Sequence, residues 1–434
     1  MQQLFAGYAR ADITPDYTVC ISGYGDDETR RNEGVRDRVY LTCIAIRQES
    51  KTILLFDADL LSINNWLANE IQQAVCPVTG IPAEYIFCGA THSHSAPLQY
   101  GDQEDAVRFR SELLEAAVKT AQEAIADLAP ATMNTTTKVI KGMNFIRHYL
   151  TEDGSYAGSN FGHEKLTYID HAGESDPRML LIQFARENKP DIVMMNWQAH
   201  NDTAYPSGYL MLSAGYTGHT RAKFEAETGM HFAFFQGASG NQNPGSRIKG
   251  ESHGLNYILY GEKLAELAVE AMQNMKPVSG SGIETKRVVF QAPVNHSWDH
   301  MLKEAEEVFR VWKTEGKPAG DALGKTYGFT SSYQARNIIR RAAMPATAEM
   351  ILDAFRIGDM GFITSPNEVF SNVGIHVRLH SPFENTFIIT GNSVYLPCMA
   401  AYEYRSYEAD TTFYAKGTAE KVGALLVEML EDVR

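Results

Sequence analysis

Tyr85-Ile86-Phe87-Cys88-Gly89 is a short apolar run, and one residue beyond it comes Thr91-His92-Ser93-His94-Ser95. A run this short, rich in aromatic and β-branched residues, reads as a buried strand whose carboxyl end is the polar stretch after it. In an extended chain residues two apart point to the same side, so His92 and His94 are expected to project together from that end. Two imidazoles on one face suit a metal ion, and strand ends are where open α/β sheets place their sites. For an isolated His-x-His the competing reading is a pair of hydrogen-bonded surface histidines.

The arrangement recurs downstream. The run Asp191 to Trp197 ends in Gln198-Ala199-His200-Asn201-Asp202. Alone, His200 would be a satisfied core histidine; beside His92 it becomes a candidate ligand, because zinc wants three or four N and O donors converging from separate elements. Strand-like runs at Thr52 to Phe56, Met179 to Phe184, His231 to Phe235, Arg287 to Gln291, Met360 to Thr364 and Phe387 to Thr390 alternate with helical periodicity. The helical stretches are Ala106 to Leu128, Tyr260 to Met275, Met301 to Thr314 and Tyr333 to Phe355. The alternation predicts an α/β fold, a mixed β-sheet core covered by helices. Lys317 to Ser332, rich in Gly and Ser, reads as a loop dividing a larger N-terminal part from a smaller C-terminal one.

Composition narrows the function classes. The 434 residues, 44% hydrophobic and 21% charged, exclude a disordered chain, a fibre and a disulfide scaffold. Thirty-nine basic against 53 acidic residues leave a net charge of −14. Phosphate backbones and anionic bilayers repel such a chain, so neither nucleic acid nor membrane is expected as a partner. The densest basic cluster, Arg336, Arg340 and Arg341 interleaved with Ile338 and Ile339, has the look of a solvated helix face. No secretion signal and no membrane-length apolar stretch is recognised, and five widely spaced cysteines read as reduced thiols, so a cytoplasmic location is expected.

Three further stretches carry chemistry. In Phe362-Ile363-Thr364-Ser365-Pro366-Asn367-Glu368-Val369-Phe370 a strand runs toward a helix start, placing Glu368 in a first helical turn as a dipole-stabilised charge, a ligand or a base. Tyr395, Tyr402, Tyr404, Tyr407 and Tyr414 crowd the C-terminal region, where tyrosines pack half-buried surface or donate to an oxyanion. The loop Gln236 to Pro244 is neither a P-loop nor a nucleophile elbow, which makes Asn241, Gln242 and Asn243 substrate-contacting candidates and leaves Ser239 a poor nucleophile.

Taken in order, these segments resemble the catalytic N-terminal domain of the neutral/alkaline non-lysosomal ceramidase family. The opening Gly7-Tyr8-Ala9-Arg10-Ala11-Asp12-Ile13-Thr14 is similar to that family's Gly-x-x-Arg-Ala-Asp-Ile-Thr, and Gly23-Tyr24, Arg36-Asp37-Arg38 and Asp57-Ala58-Asp59 follow. Thr91 to Ser95 matches its Thr-His-Thr-His-Ser, Asn196-Trp197-Gln198-Ala199-His200 its Asn-Trp-x-x-His, and Tyr395 with Tyr407-Glu408 its closing pattern. The resemblance implies a zinc ion held by His92, His200, Glu368 and Tyr395, with His94 as general base or acid, Tyr407 stabilising the oxyanion and Arg147 facing the substrate. One catalytic domain over 1–434 is expected, with a smaller C-terminal subregion from about 320 and, in departure from the family, no C-terminal immunoglobulin-like domain.

The departures lie on the substrate side. Gly240-Asn241-Gln242-Asn243-Pro244 puts Asn243 where the family has serine, and Ser213-Ala214-Gly215 and Tyr407-Glu408-Ala409-Asp410-Thr411 also differ from its pattern. The expectation is therefore a zinc-dependent hydrolase cleaving an amide in a small-molecule substrate more soluble than ceramide, with self-association into a homo-oligomer left open. The alternatives are a zinc esterase or lactonase and a metal-retaining protein without turnover. Glycoside cleavage by Asp57 and Asp59 is disfavoured, since alternate residues of a strand face opposite ways.

Overall fold

The computed structural model describes residues 3–25, 27, 29–158, 166–202, 209–251 and 255–434. Eight principal strands form the first sheet: β1 (Leu4–Asp12), β2 (Tyr40–Gln48), β3 (Lys51–Ala58), β4 (Ile86–Ala90), β5 (Ala129–Val139), β6 (Arg178–Arg186), β7 (Ile192–Trp197) and β8 (His231–Gln236). Their spatial order is β8-β7-β6-β5-β1-β2-β3-β4, with Lys276–Pro277 as a short extra strand beside β5. Only the outermost pairs, β7 with β8 and β3 with β4, are parallel; the inner pairs are antiparallel. The expected strands all appear, together with β1, β2 and β5, whose mixed composition hides their alternation.

A second sheet contains β9 (Ile283–Pro293), β10 (Thr347–Ile357), β11 (Met360–Ser365) and β12 (Thr386–Thr390), in that order and with β11 parallel to β12. The two sheets pack face to face over an aromatic core. Phe355 stacks on Phe87 at 4.1 Å and on Phe362 at 4.6 Å, with Phe387 and Ile389 completely enclosed. Each fully buried aromatic of this kind contributes roughly 1.5–3 kcal/mol. Helices cover the outer faces: α1 (Asn65–Thr79) and α2 (Glu104–Ala126) over β1 to β4, α3 (Tyr216–Thr228) and α4 (Tyr257–Met272) over β6 to β8. The C-terminal helix Thr418–Asp432 covers the second sheet.

The first sheet is curled, as right-handed twist requires of a long sheet. Its edge strands β4 and β8 meet beneath β12: a Cβ on Gly89 would stand 2.8 Å from Ile389 and 3.6 Å from Phe235. The carboxyl ends of β4 and β7, far apart in strand order, are thereby brought together.

Between β9 and β10 lies a satellite of three helices, α5 (Leu302–Glu315), α6 (Lys317–Thr326) and α7 (Ser332–Ala342). Lys317 to Thr326 is thus helical and not the loop its glycines suggest. Pro318 starts the helix, Lys317 pairs with Asp321, and Gly320 is there because a Cβ would meet Trp312 at 2.8 Å. Tyr333 to Phe355, read as one helix, splits into α7 and β10 around Pro345, which cannot continue a helix. The change from one sheet to the other falls at Ile283. No helix among the described residues is long and apolar enough to cross a membrane.

Candidate metal centre

His92, His94 and His200 are buried together, and their ring nitrogens lie within 4.8 Å of one another. The Nε2 atoms of His92 and His200 are 3.0 Å apart, and those of His92 and His94 3.2 Å. The convergence has a different origin from the expected strand alternation. Strand β4 ends at Ala90, and His92 takes a left-handed backbone, φ +62°, before a turn at His94. Such a backbone is costly for a side chain with a Cβ and persists where the surroundings impose it. Here the Ser93 and His94 amides bond the carbonyls of Leu60 and Asn201. Gly23, at φ +129°, presses its backbone against His94, and a Cβ there would stand 2.6 Å from the His94 Cα.

Two of the imidazoles have their tautomers set by the backbone. His92 Nδ1 donates to the Leu61 carbonyl at 2.9 Å, and His200 Nδ1 to the Ser239 carbonyl at 3.3 Å. With Nδ1 donating, the neutral form of each ring turns an Nε2 lone pair inward, the second-sphere pattern of metal-binding histidines. Two lone pairs 3.0 Å apart repel unless a cation lies between them. Glu368 Oε2, 3.3 Å from His92 Nε2 and 3.7 Å from His200 Nε2, is buried without a hydrogen-bond donor among the described residues. An orphaned carboxylate oxygen against inward-facing imidazole nitrogens is a donor set that fits a divalent metal of the zinc type. Burial first, then the neighbouring His92, Arg30 and Arg147, hold His94 well below the ordinary histidine range.

Glu368 does not sit in a first helical turn. It belongs to a two-residue strand, Glu368–Val369, paired in parallel with Tyr395–Leu396, and the helix α8 (Ser371–His380) begins after it. The pairing makes Glu368 and Tyr395 direct neighbours, so two expected ligands share one register position. Of the five C-terminal tyrosines, Tyr395 and Tyr407 line the cavity above the histidines. Tyr402 and Tyr414 are spent on structure, through Tyr402 Oη to the Tyr414 carbonyl and Asn367 Nδ2 to Tyr414 Oη.

That cavity, about 560 Å³, is also lined by His94, His200, Arg147, Asp202 and Asn243. The loop after β8 organises it mainly through its backbone. The Gln242 carbonyl receives the His200 amide, the Asn241 carbonyl the Arg147 amide, and the Gly240 amide bonds Val369 beside Glu368. Gly240 is required there, because a Cβ would stand 2.6 Å from the Glu368 carbonyl oxygen. The side chains of Asn241 and Gln242 are turned away into structural bonds, Asn241 Oδ1 to the Ser371 amide and Gln242 Oε1 to Asn144 and the Asp176 amide. Of the three expected substrate contacts, only Asn243 faces the cavity. Ser239 Oγ accepts from Gln236 and lies fully buried. Asp57 and Asp59 lie outside the cavity lining, Asp59 being locked to Arg221 at 2.7 Å.

The residues least visible in the sequence are those that hold Arg147. Its Nε donates to Glu408 Oε1 at 2.7 Å, Glu408 Oε2 bonds His148 Nε2 at 2.7 Å, and Tyr404 Oη completes the chain on His148 Nδ1 at 3.0 Å. Burial opposes the Glu408 charge, but His148 and Arg147 outweigh it and hold this carboxyl far below the usual range. The adjacency of Glu408 to Tyr407 and of His148 to Arg147 was the available signal. Asn196 in the Asn-Trp-x-x-His motif stitches β7 to β8 and β12, donating to the Phe235 and Ile388 carbonyls and accepting from Arg378.

Removing the Glu408 charge leaves Arg147 buried and uncompensated, so Glu408→Ala is expected to cost about 3–5 kcal/mol of stability. Because the folded carboxyl titrates below its unfolded value, the contribution is complete above about pH 4.5 and fades as pH falls below that. Chemical denaturation at pH 7 and pH 3 checks both statements: the gap between wild type and variant should narrow at the lower pH.

Comparison with known proteins finds a matching family and similar folds. The family model described as neutral/alkaline non-lysosomal ceramidase, N-terminal, matches residues 5–244. Among solved structures, the neutral ceramidase from Pseudomonas aeruginosa superposes with a TM-score of 0.73 at 18% identity, covering 100% of this chain and 75% of that one. A ceramidase complexed with C2 gives 0.74 at 17% identity, with 100% and 76% coverage. At these identities the likeness is one of fold. A comparison with curated proteins finds no match.

Proposed function

The chain belongs to the neutral/alkaline non-lysosomal ceramidase family, and from that premise we propose that it is a zinc-dependent hydrolase cleaving the amide bond of a small soluble N-acyl compound. The observation that carries the reading is the buried meeting of His92 Nε2, His200 Nε2 and the orphaned Glu368 Oε2 at the base of a cavity. His92, His200, Glu368 and Tyr395 would hold the ion. Zinc, when bound, supplies Lewis acidity that activates water and polarises the scissile carbonyl.

The protein's own groups do the rest. His94 takes the proton of the attacking water and returns it to the departing nitrogen, so that a C–O bond forms, the C–N bond breaks, and a carboxylate and an amine leave. Tyr407 donates its hydroxyl to the oxyanion; burial first, then Tyr333, raises its pKa and keeps it a proton donor. Arg147, fixed by Glu408, faces the substrate from the cavity wall. The five cysteines, none disulfide-bonded, support a reducing, cytoplasmic setting.

A soluble substrate is favoured over ceramide because a chain of net charge −14 gains nothing electrostatically at an anionic membrane surface, and Asn243 replaces the family's serine. In a side-by-side assay of ceramide in detergent against short N-acyl amides and esters, kcat/KM is expected to be highest for a soluble amide. Ceramide outrunning every soluble compound would overturn the substrate class and leave the metal site standing. Turnover of esters alone would make the protein an esterase.

A further inference from the structure

The cavity above the histidines differs from what an acyl-chain binder needs. Among its described lining residues none carries an aliphatic side chain except Pro244. Five are tyrosines, and the others include Asn243, Ser246, Asp202 and two arginines. Of these arginines, Arg147 is already paired with Glu408. Besides His94 Nδ1, two polar atoms of its lining lack partners among the described residues: Asn243 Oδ1, a buried acceptor without a donor, and Arg147 Nη2, a buried donor without an acceptor. Leaving such groups unpaired is costly, and a ligand that pairs both recovers that cost.

Building on the hydrolase reading, we infer that the amine half of the substrate is a neutral, hydroxyl-rich ring, an N-acylated amino sugar. A hydroxyl both donates and accepts, so vicinal hydroxyls satisfy Asn243 Oδ1 and Arg147 Nη2 together. Tyrosine rings meet the apolar C–H faces of a sugar while their hydroxyls stay polar. The wall that receives it is tied down: Tyr333 Oη bonds the Tyr24 carbonyl at 3.0 Å, and Tyr24 Oη bonds the Asp202 carbonyl at 2.8 Å. A hydrocarbon tail would leave the unpaired groups unpaired, and a carboxylate would find Arg147 already neutralised by Glu408.

The test is calorimetric binding to the full chain after metal chelation, so that affinity is read without turnover, using N-acetylglucosamine, N-acetylglycine and N-butylacetamide. N-acetylglucosamine is expected to bind about tenfold or more tighter than either of the others, the scale of one or two hydrogen bonds. Asn243→Leu should erase that preference, and Asn243→Ala, which removes the same Oδ1 acceptor in a smaller side chain and should erase it equally, serves as the second probe should the first variant fail to fold. Equal or tighter binding of the alkyl amide or the carboxylate, or no binding of the sugar, overturns the inference. A parallel turnover assay with zinc keeps the two readings apart. A sugar that binds while no amide or ester is cleaved sinks the hydrolase assignment, whereas amides cleaved with no preference for hydroxyls sink only this one.

Discussion

His92→Ala and His200→Ala each lose the metal. Both imidazoles have Nδ1 committed to a backbone carbonyl and Nε2 turned to the common point, so neither can be replaced by rotating a neighbour. Changing a residue that merely orients a ligand costs about 10- to 100-fold in metal affinity; deleting a ligand should cost more than that. Elemental analysis after zinc-replete expression is expected to give one ion per wild-type chain and far less in both variants, with the fold intact by circular dichroism. Full occupancy in either variant would remove that histidine from the ligand set.

His94→Ala is expected to keep the zinc and lose about 10² to 10⁴ in kcat, the usual worth of general acid–base assistance. His94 lines the cavity, where its ring can meet a substrate, whereas His92 is not among the lining residues. Its Nε2 is nonetheless 3.2 Å from that of His92. The same variant therefore separates two roles: zinc lost along with activity makes His94 a third imidazole ligand, and turnover unchanged removes it from the mechanism.

Much of this was legible in the chain because buried strands announce themselves. The runs ending at Gly89 and Trp197 are dominated by apolar residues, and a histidine just past each is conspicuous. What the pattern could not show is how the ends meet. That depends on the curl that brings β4 under β8, on the left-handed turn at His92 and on the two-residue pairing of Glu368 with Tyr395, none of which leaves a periodic trace. Glycines misled for the same reason: Gly320 looks like a loop residue but is small so that α6 can lie against Trp312. The Arg147–Glu408–His148–Tyr404 chain joins residues some 260 positions apart, and only the folded backbone brings them into contact.

On the reading proposed above, one zinc ion at the His92, His200 and Glu368 cluster makes this chain a hydrolase. Titrating zinc back into chelated protein while following amine release from a soluble N-acyl amide tests it directly. Activity should rise linearly from a negligible baseline and level off at one equivalent per chain. Hydrolysis by the chelated protein at the same rate, or no amine released at full occupancy, would contradict it.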